Sequence, residues 1–187
     1  MLILASKSPR RIELLAGLGV AFSAVESLKD EVIPLDCPPA TVVMELAKQK
    51  VEDVFKRTTG IVIGADTVVC HKDRILGKPV NEDEAFLMLG LLSGKWHEVY
   101  TGVCIKDDTK IICEYEKTRV KFRQLSEEEI MRYIQTKEPM DKAGAYGIQG
   151  LGSLLVEKIE GDYFNVVGLP ICRLGTLLKE HFAIALL

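Results

Sequence analysis

Residues 61–69 read Ile-Val-Ile-Gly-Ala-Asp-Thr-Val-Val. A run so continuously apolar is the pattern of a strand buried on both faces, with helices covering a sheet from either side. It points the chain toward an α/β or mixed α+β architecture. Asp66 is the one charge within it. Burying an unpaired carboxylate costs several kcal/mol, so this position calls for a metal, a cationic partner or a raised pKa. The plainer alternative is a strand-end aspartate that only accepts backbone hydrogen bonds. Because buried ionisable groups gather at active sites, the functional reading is the stronger one.

The flanking segments alternate between strands and helices. Leu2-Ile3-Leu4-Ala5 is a short apolar strand running into Ser6-Lys7-Ser8-Pro9-Arg10-Arg11. Ser8 can cap a helix with Pro9 in its first position, where a missing N–H costs nothing. Leu14, Leu15 and Leu18 give that helix its apolar stripe, and Gly17 and Gly19 mark its end. Val43, Leu46, Ala47, Lys50, Val51 and Val54 fall on helical spacing. After a polar turn at Lys72-Asp73, Asn81 caps a further helix with Glu82, Asp83 and Glu84 in its first turn. Residues 97–106 and 111–123 read as a hairpin closed by Asp107-Asp108-Thr109-Lys110, and Ser126 with Glu129 spells a capping box. Two short strands around Gly161-Asp162 and an amphipathic helix opened by Pro170 complete the pattern. No repeat or linker separates independent domains, so 1–187 reads as one domain, with room for two lobes.

Composition excludes several classes. The formal charge of −3 argues against non-specific duplex binding, which needs many Lys/Arg–phosphate contacts. No aromatic-plus-basic strand motif suggests RNA binding. The longest apolar runs fall far short of the ~20 residues that span a bilayer, and Met1–Ala5 lacks the basic start of a signal peptide. The five cysteines, Cys37, Cys70, Cys104, Cys113 and Cys172, are scattered and odd in number. They read as reduced thiols of a cytoplasmic protein, not as a disulfide frame or zinc site.

Two further stretches carry chemistry. Ser8-Pro9-Arg10-Arg11 sets two guanidinium groups beside the free N–H groups of a helix start, a combination that suits an anion. Solvated surface arginines are the bland alternative. From Glu138 to Gly152 the chain is glycine-rich, which permits close backbone approach to a ligand or merely a mobile loop. Neither a dinucleotide fingerprint nor a GxxxxGK[ST] phosphate loop is present. His71, His97 and His181 lack metal-ligand spacing, His97 reads as structural, and no nucleophile elbow is visible. Carboxylates, cations and glycine-rich backbone suit metal-assisted phosphate chemistry.

Taken in order, Ser6–Leu15, Gly64-Ala65-Asp66-Thr67-Val68-Val69, Gly77-Lys78-Pro79, Leu92-Ser93-Gly94-Lys95, His97–Val103, Glu138–Gly150 and Asn165-Val166-Val167-Gly168-Leu169-Pro170 resemble the Maf family of nucleoside triphosphate pyrophosphatases. The resemblance covers nearly the whole chain. It implies a strongly bent mixed sheet with flanking helices, two lobes around a cleft, and a fold similar to inosine triphosphate pyrophosphatases. It implies cleavage between the α and β phosphates, with Asp66 as general base. By the same resemblance Arg10, Thr67 and Gln149 set base selectivity, and Ser8, Arg11, Glu31, Lys50 and Lys78 line the cleft. Glu31 and Asp66 would hold a divalent metal cation, Mg²⁺ or Mn²⁺.

The wording Ala145-Tyr146-Gly147-Ile148-Gln149 looks like the branch acting on dTTP and UTP, and lacks the Ser-Glu-rich loop usual in the branch acting on 7-methyl-GTP. Many relatives carry Glu where this chain has Gly77. A cytoplasmic homodimer that binds neither nucleic acid nor membrane is the implied setting. A rival reading is a non-catalytic nucleotide-binding regulator of cell division. Asp66 speaks against it, because a pure binder has no reason to set an extra carboxylate against a polyanion.

Overall fold

The computed structural model describes residues 1–72 and 74–187. Of the polar turn expected at Lys72-Asp73, Asp73 therefore lies outside the described residues, while Lys72 takes the left-handed conformation with φ of 49°. A mixed sheet orders its strands β2 (Phe22–Ala24), β1 (Leu2–Leu4), β3 (Ile61–His71), β5 (Trp96–Lys106), β6 (Ile111–Phe122) and β7 (Val156–Glu160). The short β4 (Arg74–Leu76) also pairs with β3. Strand β1 runs parallel to both β2 and β3, whereas β4 is antiparallel to β3 and β7 to β6. The expected α/β fold, a mixed sheet with flanking helices, is what forms. No described helix is long and apolar enough to cross a membrane.

The chain divides into two compact units. The first comprises Met1–Asp66, Thr101–Glu116 and Gly168–Leu187. Its strands alternate their side chains between two apolar clusters, as a period of two requires. Leu2, Leu4, Ile63 and Ala65 join Leu174, Leu177 and Leu178 of helix α6 (Ile171–Phe182). Ile3, Ala5 and Val62 instead join Ala47, Val51 and Val54 of helix α2 (Pro39–Phe55). Helix α1 (Pro9–Ala16) buries Leu15 in the first of these clusters. As predicted, Pro9 opens it. Ser8 occupies the cap position in extended backbone, but its side chain does not cap the helix; its own N–H donates to Ser6 Oγ at 3.1 Å.

The second unit, Thr67–Tyr100 and Lys117–Val167, has one core. Leu89 and Leu92 of helix α3 (Glu82–Leu92) and Ile130 and Ile134 of helix α4 (Glu127–Gln135) pack there with Val99, Phe122 and Tyr146. Both predicted caps form: Asn81 accepts from the Glu84 N–H at 2.8 Å, and Ser126 and Glu129 make the reciprocal capping box. His97 is buried among Phe122 and Tyr146, with Nε2 2.8 Å from the Tyr146 hydroxyl. Its structural reading holds.

Two further expectations are corrected. Beyond the Gly161-Asp162 turn the chain forms a short helix α5 (Tyr163–Val167), not a second strand. The Asp162 carboxylate accepts the Phe164 N–H at 2.7 Å and starts the helical turn, while the Asn165 amide donates to Val99 O and Thr118 Oγ1 in the interior. The cysteines are not all thiols either. Cys104 and Cys113 are joined in a disulfide, and Cys37, Cys70 and Cys172 are free. The Asp107 N–H to Lys110 O bond closes the hairpin in a register that sets 104 opposite 113, with Cα atoms 4.1 Å apart. Facing antiparallel residues come this close at non-hydrogen-bonded positions, and nothing in the linear spacing announces it.

Candidate active site

Gly64 explains how Asp66 acquires its partner. A Cβ at Gly64 would lie 2.5 Å from Val51 Cγ2 and 2.8 Å from Ala47 O. Only glycine lets α2 approach β3 this closely. Residues 64 and 66 share a face of the strand, and Lys50 lies between Ala47 and Val51 on the helix. The close approach therefore delivers the Lys50 ammonium to the Asp66 carboxylate, and the two form an ion pair with each side chain 13% exposed. That answers the demand for a partner made by a carboxylate in an apolar strand.

Lys50 has a second carboxylate, Glu31 Oε1, at 3.1 Å. Glu31 comes from the segment between β2 and α2, and its location depends on two residues one helical turn apart. The Gln49 amide pairs with both backbone groups of Val32, accepting its N–H at 2.9 Å and donating to its carbonyl at 2.8 Å. The Asp53 carboxylate accepts the Leu28 N–H at 2.9 Å and the Ser27 hydroxyl at 3.2 Å. The Leu28 amide bond, above all, holds the Asp53 carboxyl below its ordinary pKa. The backbone is thus fixed to the helix while Leu28, Val32, Ile33 and Leu35 point to solvent.

Arg11 completes the charge cluster. Its Nε donates to Gly168 O at 2.7 Å. Burial pulls the guanidinium below the usual arginine range, the Asp66 carboxylate pushes it back up, Arg10 lowers it again and Glu31 raises it. All three neighbours named by the sequence are thus close enough for their charges to be felt. The group remains a cation, because arginine starts so far above neutrality. Ser8 is half-buried at the start of the same helix.

Thr67, Lys78 and Gln149 belong to the second unit. Thr67 is half-buried on β3; Lys78 is exposed between β4 and α3; Gln149 is exposed just before the 3-10 turn Gly150–Leu155. The glycine-rich stretch is thus not a featureless loop but three short 3-10 turns. Reading the sequence missed Gln49 and Asp53, which locate Glu31. It also missed Glu138 and Tyr133, which bind the backbone around Gln149. The i, i+4 spacing of Gln49 and Asp53 is their only linear signal.

The family model for Maf-like protein matches residues 1–181. The chain belongs to the Maf family. It is 58% identical over 190 residues to the dTTP/UTP pyrophosphatase of Alkaliphilus oremlandii, covering 100% of this chain and 98% of that one. It is 54% identical over 185 residues to the dTTP/UTP pyrophosphatase of Caldicellulosiruptor saccharolyticus, covering 95% and 93%. Among solved structures, a HAM1 protein from Coxiella burnetii aligns at 14% identity with a TM-score of 0.47, over 65% of this chain and 72% of that one.

Among the described residues, this Maf chain has no cluster of three or more His, Cys, Asp or Glu side chains that could hold a metal by themselves. Glu31 and Asp66 are instead two carboxylates gathered around the ammonium of Lys50. Two carboxylates fit a hard divalent ion that takes its remaining oxygens from water and a substrate phosphate, the usual manner of Mg²⁺.

Proposed function

We propose that this Maf protein hydrolyses dTTP and UTP to the monophosphate and pyrophosphate, with Asp66 as general base. The observation that carries this reading is the nearly buried Asp66 carboxylate held against Lys50 with Arg11 close by. The printed activity of relatives above half identity supports the choice of substrates. A binder of polyanions would be stronger without the Asp66 charge, so the carboxylate favours the enzyme over the regulator of cell division.

The roles follow from the chemistry of the side chains. A triphosphate carries about four negative charges near neutrality, and Arg10, Arg11, Lys50 and Lys78 are the cations that hold and orient it. Ser8, with a hydroxyl not engaged in capping, offers a further phosphate donor. Asp66 takes the proton of the water that attacks the α phosphate. Glu31 and Asp66 would hold a divalent ion, Mg²⁺ or Mn²⁺, which when bound supplies charge neutralisation on the phosphates. Gln149 has an amide donor and a carbonyl acceptor, matching the mixed edge of uracil or thymine, and Arg10 and Thr67 complete that selectivity. We place the protein in the cytoplasm as a homodimer of one Maf-like domain spanning 1–187, acting on free nucleotides and not on nucleic acid or membranes.

The test is a panel of canonical, 7-methylated and modified pyrimidine nucleoside triphosphates with Mg²⁺ or Mn²⁺, scored for pyrophosphate against orthophosphate. Pyrophosphate is the expected first product, strongest with dTTP and UTP and abolished by excess EDTA. Orthophosphate appearing first would overturn the cleavage position, and preference for 7-methyl-GTP would move the protein to the other branch.

A further inference from the structure

The backbone on either side of Gln149 is held by two side chains, Glu138 and Tyr133. Glu138 follows α4, heading the 3-10 turn Glu138–Asp141. Its Oε1 accepts the Tyr133 hydroxyl at 2.9 Å and the Gly152 N–H at 3.0 Å, and its Oε2 accepts the Leu151 N–H at 3.1 Å. The Tyr133 oxygen in turn accepts the Gly147 N–H at 3.2 Å. The backbone is thus gripped before Gln149, at Gly147, and after it, at Leu151 and Gly152. Between the grips the chain doubles back tightly. Gly150 has φ of +64°, and a Cβ on Gly152 would collide with the Gly147 carbonyl. Burial, above all, raises the Tyr133 hydroxyl above the ordinary tyrosine value, and Glu138 raises it further. The hydroxyl therefore keeps the proton it donates to Glu138 while accepting from Gly147.

We infer that Glu138 and Tyr133 are positioning residues for Gln149, and through it set the preference for uracil and thymine bases. The inference rests on the reading of Gln149 as the base-reading side chain. Two hydrogen bonds from one amide to one flat base edge need the amide plane set within a narrow range, and an exposed side chain gets that constraint only from its backbone. A carboxylate accepting two peptide N–H groups supplies stronger, charge-assisted bonds than a neutral acceptor would.

The test measures kcat/KM for dTTP, UTP, CTP and GTP in wild type, Glu138→Gln, Tyr133→Phe, Gln149→Glu and the double variant Glu138→Gln/Gln149→Glu, with circular dichroism confirming the fold. Glu138→Gln should lower dTTP and UTP by about 10-fold and CTP and GTP by less than about 3-fold, as expected when a hydrogen-bonding site loses its alignment. Tyr133→Phe should shift the preference in the same direction by less. In the double variant, Glu138→Gln should add no further flattening, because both changes act through one contact. Flattening by Gln149→Glu, with equal losses on all four nucleotides or none in the other two single variants, leaves Gln149 its role and overturns the positioning role. Equal losses with Gln149→Glu itself would remove the base-reading role, and this inference with it. If Glu138→Gln does not fold, Tyr133→Phe decides by the same ratio.

Discussion

In the first unit the carboxylates of Asp66 and Glu31 face an ammonium, that of Lys50; in the second the carboxylate of Glu138 faces two peptide N–H groups and a phenol. The difference concerns what a ligand can displace. An ion pair can exchange one charged partner for another, so Lys50 can turn to a phosphate and the carboxylates to a cation or a water. Peptide groups fixed by the fold cannot be exchanged without unmaking the loop. The first arrangement suits chemistry, the second alignment.

One isosteric change applied in both units sharpens the comparison. Asp66→Asn removes the base and its charge and should lower turnover by at least ~10²-fold on every nucleotide, with the fold intact. Glu138→Gln should instead act unevenly across bases, as argued above. Wild-type-like turnover of a folded Asp66→Asn protein would end the distinction, and the place of Asp66 in the mechanism.

A smaller effect tests whether Glu31 depends on its anchor. Gln49→Ala removes both bonds to Val32 without touching any charge. The Mg²⁺ concentration giving half-maximal rate should rise about 10-fold, the low end for loss of a residue that orients a metal ligand. An unchanged Mg²⁺ requirement would show that Glu31 is held by Lys50 alone or does not meet the ion.

The smallest effect contrasts two basic groups under burial. Arg11 is lowered yet stays charged, whereas burial, with a lesser push from His71, takes His97 from 6.5 to about 3. Native His97 is therefore neutral between pH 6.5 and about 3, while the unfolded chain binds a proton there. Stability then rises with pH through that window, is complete above about 6.5 and is lost as acid approaches 3. His97→Phe should flatten the slope of Tm against pH over this range, whatever it does to Tm itself. An unchanged slope would mean that another group governs acid unfolding.

Much of this was legible in the residues. The apolar run 61–69 announced β3 and singled out Asp66, helical spacing announced α2 with Lys50 on it, and Asn81 and Ser126 marked their helix starts. These signals are local or periodic. The helix start at Ser8-Pro9 pointed to Arg10 and Arg11, and the family resemblance added Glu31 and Gln149. What stayed hidden depends on pairing between distant residues through the backbone. Gln49 reaches 17 residues back to a peptide group, and Leu151 donates 13 residues back to Glu138. A peptide group is the same at every position, so such bonds leave no compositional trace. The Cys104–Cys113 pairing was hidden likewise, because it follows from the hairpin register and not from spacing. Helix α5 was misread because one Asx bond from Asp162 outweighed a short β-like pattern.

The Gln49 amide stands in for one edge of a strand, offering Val32 a donor and an acceptor at ladder spacing. Because it grips peptide atoms only, it places no demand on the side chains of the segment it holds. Leu28, Val32, Ile33 and Leu35 can drift to other residues, and the segment can gain or lose length away from Val32, while Glu31 stays beside Lys50. Freedom to vary and fidelity of placement therefore coexist in one stretch of chain, and substitutions at Gln49 itself, where only another primary amide of the same reach would serve, carry the constraint.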